Sequence, residues 1–260
     1  MAAPLIAGAL LAATTLSLPD GNALVGELAR KQRRWEEILN SYTYDVDVVR
    51  EELDKDDRVT KRESRRFEVF YVKGRPVRRL VAEDGRPLGA DQQAKVDEDV
   101  QEKVDAINQE RVALETPAVR LSQILERYDF RAVGRETIDG RPAIVLEFTA
   151  LPGSRPLPRD DVLRNLAGRV WMDEAEREVV RAEVHNTAGM KFLLGLGASV
   201  SLVSGTFEFR KVGDTLWLPV RDETRADGRM FLFKTFRKRV VHTYGNFRRF
   251  DAQSDERLRQ

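Results

Sequence analysis

The sequence contains no cysteine among its 260 residues and only two histidines. Without thiols it cannot form disulfides, cysteine-ligated zinc sites, iron–sulfur clusters, a catalytic thiolate or a lipid-modified N-terminal cysteine. Two imidazoles leave little material for histidine-based metal or acid–base sites. The near balance of 44 basic and 43 acidic residues gives no overall attraction to nucleic acid or to anionic lipid.

Motifs that cradle phosphate or activate a nucleophile are also missing. Gly195-Leu196-Gly197 supplies two of the three glycines of a dinucleotide fingerprint and has no βαβ unit around it. His185 and His242 lie on predicted strands without a Gly-x-Ser-x-Gly elbow, so we interpret them as structural or surface residues. The acidic runs alternate with Lys and Arg, which is typical of solvated turns. The sequence therefore predicts that the protein is not an enzyme and uses no metal or cofactor.

The first 19 residues carry no charged side chain. They are rich in Ala and Leu and end at the turn Pro19-Asp20-Gly21, which is typical of the apolar part of a secretory signal. The basic leader of such signals is missing, since the first basic residue is Arg30. A buried amphipathic helix that starts the domain is the alternative. We favour export, with residues 1–19 as a signal or N-terminal apolar segment of a periplasmic or exported protein.

Two hydrophobic periods divide the rest of the chain. Steps of three and four residues predict helices at Asn22 to Ser41, Asp91 to Ala113 and Ala118 to Tyr128. Alternation predicts about ten strands. These are Tyr42 to Val48, Ser64 to Val72, Val77 to Ala82, Phe130 to Ile138, Ala143 to Thr149, Gly168 to Asp173, Glu178 to His185, Ser199 to Val212, Leu216 to Glu223, Met230 to Lys238 and Val240 to Phe250.

Turn signals complete the predicted architecture. Asp139-Gly140, lengthened by Arg141-Pro142, and Asp227-Gly228 both predict hairpins. We expect an α+β fold in which residues 20–250 form one domain on an antiparallel sheet. A charged helical insertion occupies about residues 89–128, and residues 251–260 form a polar tail.

Large apolar side chains occupy both faces of several predicted strands. Leu216-Trp217-Leu218 and Phe231-Leu232-Phe233 cannot place every side chain in one core layer. Either helices cover one face while a cavity opens on the other, or the sheet curls around its contents; an ordinary two-layer core is the alternative. The candidates for core or cavity walls are Phe67, Val69, Tyr71, Leu146, Phe148, Trp171, Phe207, Phe209, Trp217, Phe231 and Phe233.

Two further segments stand out. Met190 to Val203 is apolar with one charge, and it is either a loop that contacts lipid or a hydrophobic partner, or a buried strand pair turning at Gly195-Leu196-Gly197. We favour the strand pair; the contact candidates are Phe192, Leu193, Leu194 and Leu196. Arg229 to Arg249 mixes basic and aromatic residues without an acid, as surfaces for single-stranded nucleic acid or phospholipid head groups do. Such alternation is also the ordinary outside–inside pattern of a strand, which we favour.

Short strand-and-turn motifs carry a family resemblance. They are Gly134-Arg135-Glu136, Ile138-Asp139-Gly140-Arg141-Pro142, Gly168-Arg169-Val170-Trp171-Met172-Asp173, Glu178-Val179-Val180-Arg181 and Trp217-Leu218-Pro219. Together with a leading helix, a hairpin beginning YTYDVDVV and a helical insertion, the chain from 22 to 250 resembles the LolA/LolB-like periplasmic lipoprotein-localisation superfamily.

The resemblance implies a curved, incomplete antiparallel barrel with helices over its open side and an apolar concave face that shelters acyl chains. It implies a non-enzymatic periplasmic protein that binds a lipid or lipoprotein acyl chain, as in the sorting of outer-membrane lipoproteins. An envelope sensor or protein-interaction domain of the same fold, with a filled core, is the alternative. Nucleic acid is not an expected partner, and we do not expect an integral membrane protein. The missing cysteine argues against an acceptor anchored in the outer membrane.

Overall fold

The computed structural model describes residues 17–39, 41–109, 125–153, 163–192, 198–213, 216–230 and 234–249. These residues form two helices and one sheet of twelve strands. The helices are α1 (Gly21–Leu39) and α2 (Ala90–Asn108). The strands are β1 (Tyr42–Leu53), β2 (Val59–Val72), β3 (Arg75–Glu83), β4 (Arg86–Pro87), β5 (Tyr128–Ile138), β6 (Arg141–Ala150), β7 (Leu166–Asp173), β8 (Val179–Asn186), β9 (Met190–Phe192), β10 (Ala198–Val212), β11 (Leu216–Met230) and β12 (Lys234–Arg249).

The strands pair in the order β4-β3-β2-β1-β12-β11-β10-β8-β7-β6-β5, and β9 pairs with β10. Every pairing is antiparallel. The sheet is open, because β4 and β5 form its two edges and do not pair with each other. Bulges interrupt several ladders, for example between Glu208 and Phe209, and a bulge bends its strand and increases the local twist. The α+β class and the open antiparallel sheet predicted from the sequence are confirmed.

Three tight hairpin turns follow from short-range chemistry. A two-residue type I′ turn needs positive φ at both central residues, which Gly tolerates best and Asp or Asn better than most. Asp139 and Gly140 have φ of 49° and 79°, and Ile138 pairs directly with Arg141. The hairpin predicted there is confirmed, although Arg141-Pro142 belongs to β6 and does not lengthen the turn. Lys73-Gly74 and Asp84-Gly85 form equivalent turns at either end of β3.

The hairpin predicted at Asp227-Gly228 is wrong. β11 continues through both residues, and Gly228 pairs with Val200 on one side and with Phe236 on the other. A Cβ atom at Gly228 would lie 2.3 Å from the carbonyl oxygen of Ser199 and 2.8 Å from the Phe236 ring. The glycine therefore permits a close approach between strands rather than a turn. The prediction of two strands beyond Met230 is likewise wrong, because β12 is continuous from Lys234 to Arg249.

The helices begin close to where the sequence predicts them. Asp20 caps α1, accepting a hydrogen bond from the backbone N–H of Ala23 at 2.9 Å. α2 ends at Asn108 rather than Ala113. Most of the helix predicted from Ala118 to Tyr128 lies outside the described residues, but Tyr128 begins β5. Residues 1–16 and 250–260 also lie outside them, so the signal segment, the tail and the domain boundaries stay predictions.

The helix α1 packs its apolar stripe onto one face of the β5–β8 half of the sheet. Leu24, Val25 and Leu28 contact a cluster of strand residues that includes Ile144, Leu146, Phe148, Val170 and Met172. Full burial of one such side chain stabilises the fold by about 1.5–3 kcal/mol. None of the described helices is both long and apolar enough to cross a membrane.

Candidate functional site

One face of the sheet carries a continuous ladder of side chains across the molecule. Residues directly opposite each other in paired strands share a face, as do residues two apart in one strand. Followed from β2 to β5, the ladder is Phe67, Val46, Tyr244, His242, Asp222, Phe207, Ala182, Val170, Leu146 and Ala132. We call this the α1 face, because α1 packs on its β5–β8 end.

The other half of the α1 face is lined by aromatic and β-branched residues. Val46, Val48 and Val69 are buried there among Tyr44, Phe67, Val240 and Tyr244, and every described member of this cluster comes from a strand. Its aromatic side chains, together with Tyr71 and Phe207, are only half-buried. α2 reaches the opposite face instead, where Asp97 forms an ion pair with Arg79 at 3.1 Å. We call this region the aromatic half of the α1 face.

A buried carboxylate lies within this face. Asp222 is only 7% exposed, accepts a hydrogen bond from the Tyr244 hydroxyl at 2.6 Å and lies 2.8 Å from Nδ1 of His242. A buried charge needs partners of this kind, because its desolvation is otherwise uncompensated. Burial raises the pKa of the Tyr244 phenol, and the hydrogen bond to Asp222 and the carboxylate charge raise it further. Tyr244 therefore stays protonated and acts as a donor.

A second group of polar atoms lies beside the first. Tyr44, Val69 and Arg78 occupy one rung across β1, β2 and β3. Burial raises the pKa of the Tyr44 phenol, and neighbouring Tyr71 raises it further. The positive charge of Arg78 acts in the opposite direction on the pKa of both Tyr44 and Tyr244. Arg78 therefore shares the rung of Tyr44 at the border of the aromatic half.

The opposite face holds two tryptophans in polar networks. Trp171 and Trp217 cluster with Ala143, Val145 and Val180. Their indole N–H groups donate to Glu136 at 2.8 Å and to Glu176 at 2.9 Å. The guanidinium groups of Arg181 and Arg141 lie over the two rings at 5.4 and 5.6 Å. Trp171 and Trp217 are only 6% and 9% exposed, so both rings present little apolar surface to a ligand.

A buried aspartate fixes the turn beside these tryptophans. Asp173 is 1% exposed and accepts hydrogen bonds from Arg141 Nε at 2.6 Å and from the backbone N–H groups of Ala175 and Glu176. Burial alone raises the pKa of its carboxyl, but these hydrogen bonds and the charge of Arg141 outweigh burial, so the net pKa is lowered. An adjacent 460 Å³ cavity is lined by turn residues including Gly140 and Glu174. Three of its six lining residues are charged, namely Arg141, Asp173 and Glu174.

The structure separates the wall candidates predicted from the sequence. On the α1 face lie Phe67, Val69, Tyr71, Leu146, Phe148 and Phe207. On the opposite face lie Trp171, Phe209 and Trp217; the register shift between Glu208 and Phe209 interrupts the alternation, so Phe209 does not share the face of Phe207. Leu146 and Phe148 are buried under α1. Phe231 and Phe233 lie outside the described residues, as do the contact candidates Leu193, Leu194 and Leu196 and the side chain of Phe192.

Both other sequence segments agree with the strand interpretation where the structure describes them. Within Met190 to Val203, β9 and β10 pair through Ala198 and Phe192. Within Arg229 to Arg249, Arg237, Arg239 and Arg248 form ion pairs with Asp57, Glu51 and Glu68. These acids come from β1, β2 and the turn that joins them, so three of the seven basic residues in this segment are paired with acids from a distant part of the chain.

Sequence reasoning did not identify Arg78, Asp222 or Tyr244 as site residues, and it interpreted His242 as structural. The spacing of His242 and Tyr244 does place them on one face, because strand side chains alternate. Nothing local indicates that Asp222 lies opposite His242 or that Arg78 lies on the rung of Tyr44.

No protein-family model matches the chain, and no curated protein matches it. Solved structures are similar to it. One described as an outer membrane lipoprotein-sorting protein domain, from Vibrio parahaemolyticus, is 11% identical with a TM-score of 0.42, over 92% of this chain and 98% of that chain. A LolA superfamily protein from Nitrosomonas europaea is 12% identical with a TM-score of 0.32, over 92% of this chain and 97% of that chain. The structure of the MucA/MucB complex from Pseudomonas aeruginosa is 14% identical with a TM-score of 0.26, over 87% of this chain and 100% of that chain.

Proposed function

We propose that the protein binds the acyl chain of a lipid or lipoprotein on the aromatic half of the α1 face and catalyses no reaction. The compartment we propose is the periplasm or another exported location, with lipoprotein sorting as the process. The observation that carries the proposal is the division of the α1 face. Its β5–β8 half packs against α1, whereas its other half presents half-buried aromatic side chains around a cluster made of strand residues.

The energetics of this surface suit an acyl chain. Each buried methylene contributes about 0.8 kcal/mol, so ten methylenes contribute about 8 kcal/mol before the cost of ordering the ligand is subtracted. Such binding is non-directional and needs apolar contact rather than a reactive group. Phe67 and Tyr71 of β2 and Phe207 of β10 supply that contact from one face.

A matched pair of substitutions tests the proposal. Phe67 and Phe209 are both half-buried strand phenylalanines, but they lie on opposite faces. We expect Phe67→Ser to weaken binding of a neutral fluorescent acyl probe by about tenfold or more, because it removes apolar contact equivalent to several methylenes. Phe209→Ser should bind like the unmodified protein. Circular dichroism checks that both variants are folded.

Native mass spectrometry of protein purified from a cell envelope provides the second measurement. A reproducible lipid adduct that Phe67→Ser loses and Phe209→Ser keeps supports the proposal. Equal binding by all three proteins, or no binding of any acyl ligand, contradicts it.

An envelope protein-interaction role is a second candidate, favoured by exposed apolar residues at one end of the sheet. Leu202 and Met230 are 36% and 38% exposed. Met230 pairs with Ala198, next to the point where the apolar sequence 193–197 enters β10. In a pull-down from envelope extract, we expect Leu202→Ser with Met230→Ser to lose a partner if this role is correct. Retention of every partner contradicts it.

A further inference from the structure

We infer that the ligand of the aromatic half is an amphiphile with an anionic head group, and that Arg78 binds this head group. The inference rests on the proposed function and specifies the chemical class of the ligand. The apolar chain would lie against Phe67 and its neighbours, with the anionic end at β3.

The position of Arg78 is the first step. Arg78 lies directly opposite Val69, and Val69 lies directly opposite Tyr44, so all three share the α1 face. The side chain of Arg78 is exposed, whereas Val69 is 1% exposed. The guanidinium therefore stands where the buried aliphatic cluster meets solvent. That is the position at which the polar end of a bound amphiphile would emerge.

The charge balance around Arg78 is the second step. Neighbouring arginines have carboxylate partners: Arg79 pairs with Asp97 at 3.1 Å and with Glu68 at 3.8 Å, and Arg65 pairs with Glu83 at 3.0 Å. Among the residues that the structure describes, no carboxylate lies within ion-pair distance of Arg78. The buried acid of the same face, Asp222, is already held by Tyr244 and His242. An uncompensated cation thus borders an apolar surface.

A neighbouring hydroxyl group is the third step. Tyr71 lies two residues beyond Val69 on the same face of β2 and is half-buried. A phenol hydroxyl is a donor, so it can donate its proton to a ligand oxygen. A guanidinium binds carboxylate or phosphate through parallel N–H donors. Arg78 and the Tyr71 hydroxyl together match an anionic oxygen group better than a neutral ester or amide.

The test compares two ligands with the same chain, decanoate and 1-decanol, by displacement of a neutral fluorescent acyl probe at pH 8. Four proteins are used: the unmodified chain, Arg78→Gln, Arg78→Lys and Arg75→Gln. Arg75 is the matched control, because it is an exposed arginine of the same strand on the opposite face. Arg78→Lys keeps the charge and loses the forked geometry.

We expect the unmodified protein to bind decanoate about tenfold more tightly than 1-decanol, the ratio typical of one charge-assisted hydrogen-bonded contact. Arg78→Gln should abolish this preference and leave the affinity for 1-decanol unchanged. Arg78→Lys should keep part of the preference, and Arg75→Gln should keep all of it.

Failure of the inference and failure of the proposed function look different. Equal affinities for the two ligands in the unmodified protein overturn the inference while the proposed function stands. So does an Arg78→Gln variant that keeps the preference or weakens both ligands equally. If the probe and both ligands fail to bind the unmodified protein, the proposed function fails and the inference fails with it.

Discussion

Individual polar residues give the aromatic half its character. Asp222 is a buried acid whose two described partners, His242 and Tyr244, come from the adjacent strand. The ring of Tyr44 packs against the rings of Tyr244 and Phe247, with centroids 6.2 and 5.4 Å away. Since ionised phenolate is costly in such surroundings, this cluster depends on both tyrosines staying neutral.

The raised pKa values of Tyr44 and Tyr244 predict a loss of stability in alkali. Both phenols titrate above their ordinary value of 10.0 in the folded protein, mainly because they are buried. Above pH 10 the unfolded chain releases these protons while the folded chain keeps them. The contribution of the two neutral phenols to the free energy of unfolding is therefore fully present below pH 10 and is lost as the pH rises further. Urea unfolding at a series of pH values from 9 upward measures this slope.

The matched variant for the alkaline prediction is Tyr44→Phe, which removes one of the two groups without leaving Asp222 short of a donor. We expect a shallower loss of stability with pH in this variant. Tyr42→Phe is the control, because Tyr42 is a tyrosine of the same strand that does not belong to the cluster of Val46, Val48 and Val69. An identical slope in the unmodified protein and Tyr44→Phe would contradict the assignment.

At the scale of elements, a side-chain clip joins α1 to the edge strand β5. The Asn22 carboxamide accepts the Phe130 backbone N–H at 2.9 Å and donates to Asp129 at 2.7 Å. A Cβ atom at Gly21 would lie 2.4 Å from the Phe130 carbonyl oxygen, so the start of the helix can only approach the strand this closely with glycine. The clip therefore sets the position of α1 on its half of the α1 face.

Removing the clip should destabilise the protein. We expect Asn22→Ala to lower the free energy of unfolding by about 1–2 kcal/mol, because the Phe130 N–H then lacks its partner. Glu27→Ala, an exposed change on the same helix, should alter the free energy by about 0.5 kcal/mol or less. Urea denaturation followed by circular dichroism compares the two. Equal effects would show that the clip contributes little.

At the scale of the whole molecule, one sheet connects the two halves of the α1 face. Pairing of β1 with β12 joins the beginning of the described chain to its end, and pairing of β8 with β10 joins the α1-covered half to the aromatic half. Such continuity favours cooperative unfolding, because neither half can open without breaking ladder hydrogen bonds with the other.

A substitution in one half should therefore be detected in the other. Val69 is 1% exposed in the aromatic half, whereas Trp171 and Trp217 lie in the cluster with β6 and β7. We expect Val69→Ala to lower stability by about 1–3 kcal/mol. Tryptophan fluorescence and far-UV circular dichroism should give the same unfolding midpoint. Val59→Ala, at a 45% exposed site of the same strand, is the control. Two separate transitions would show that the halves unfold independently.

Elements whose causes are local could be predicted from the sequence. Alternation along one strand placed Phe67, Val69 and Tyr71 on a single face, and the Asp139-Gly140 pair specified its turn, because side-chain direction and φ preferences act within a few residues. The folded sheet determines which faces meet, because strand order and register are set between segments distant in the chain. It separated Trp171 from Phe207, although both are strand aromatics, and it placed Asp222 opposite His242. It also gave Gly228 a packing role where its sequence context indicated a turn, since the constraint there is the Phe236 ring of the neighbouring strand.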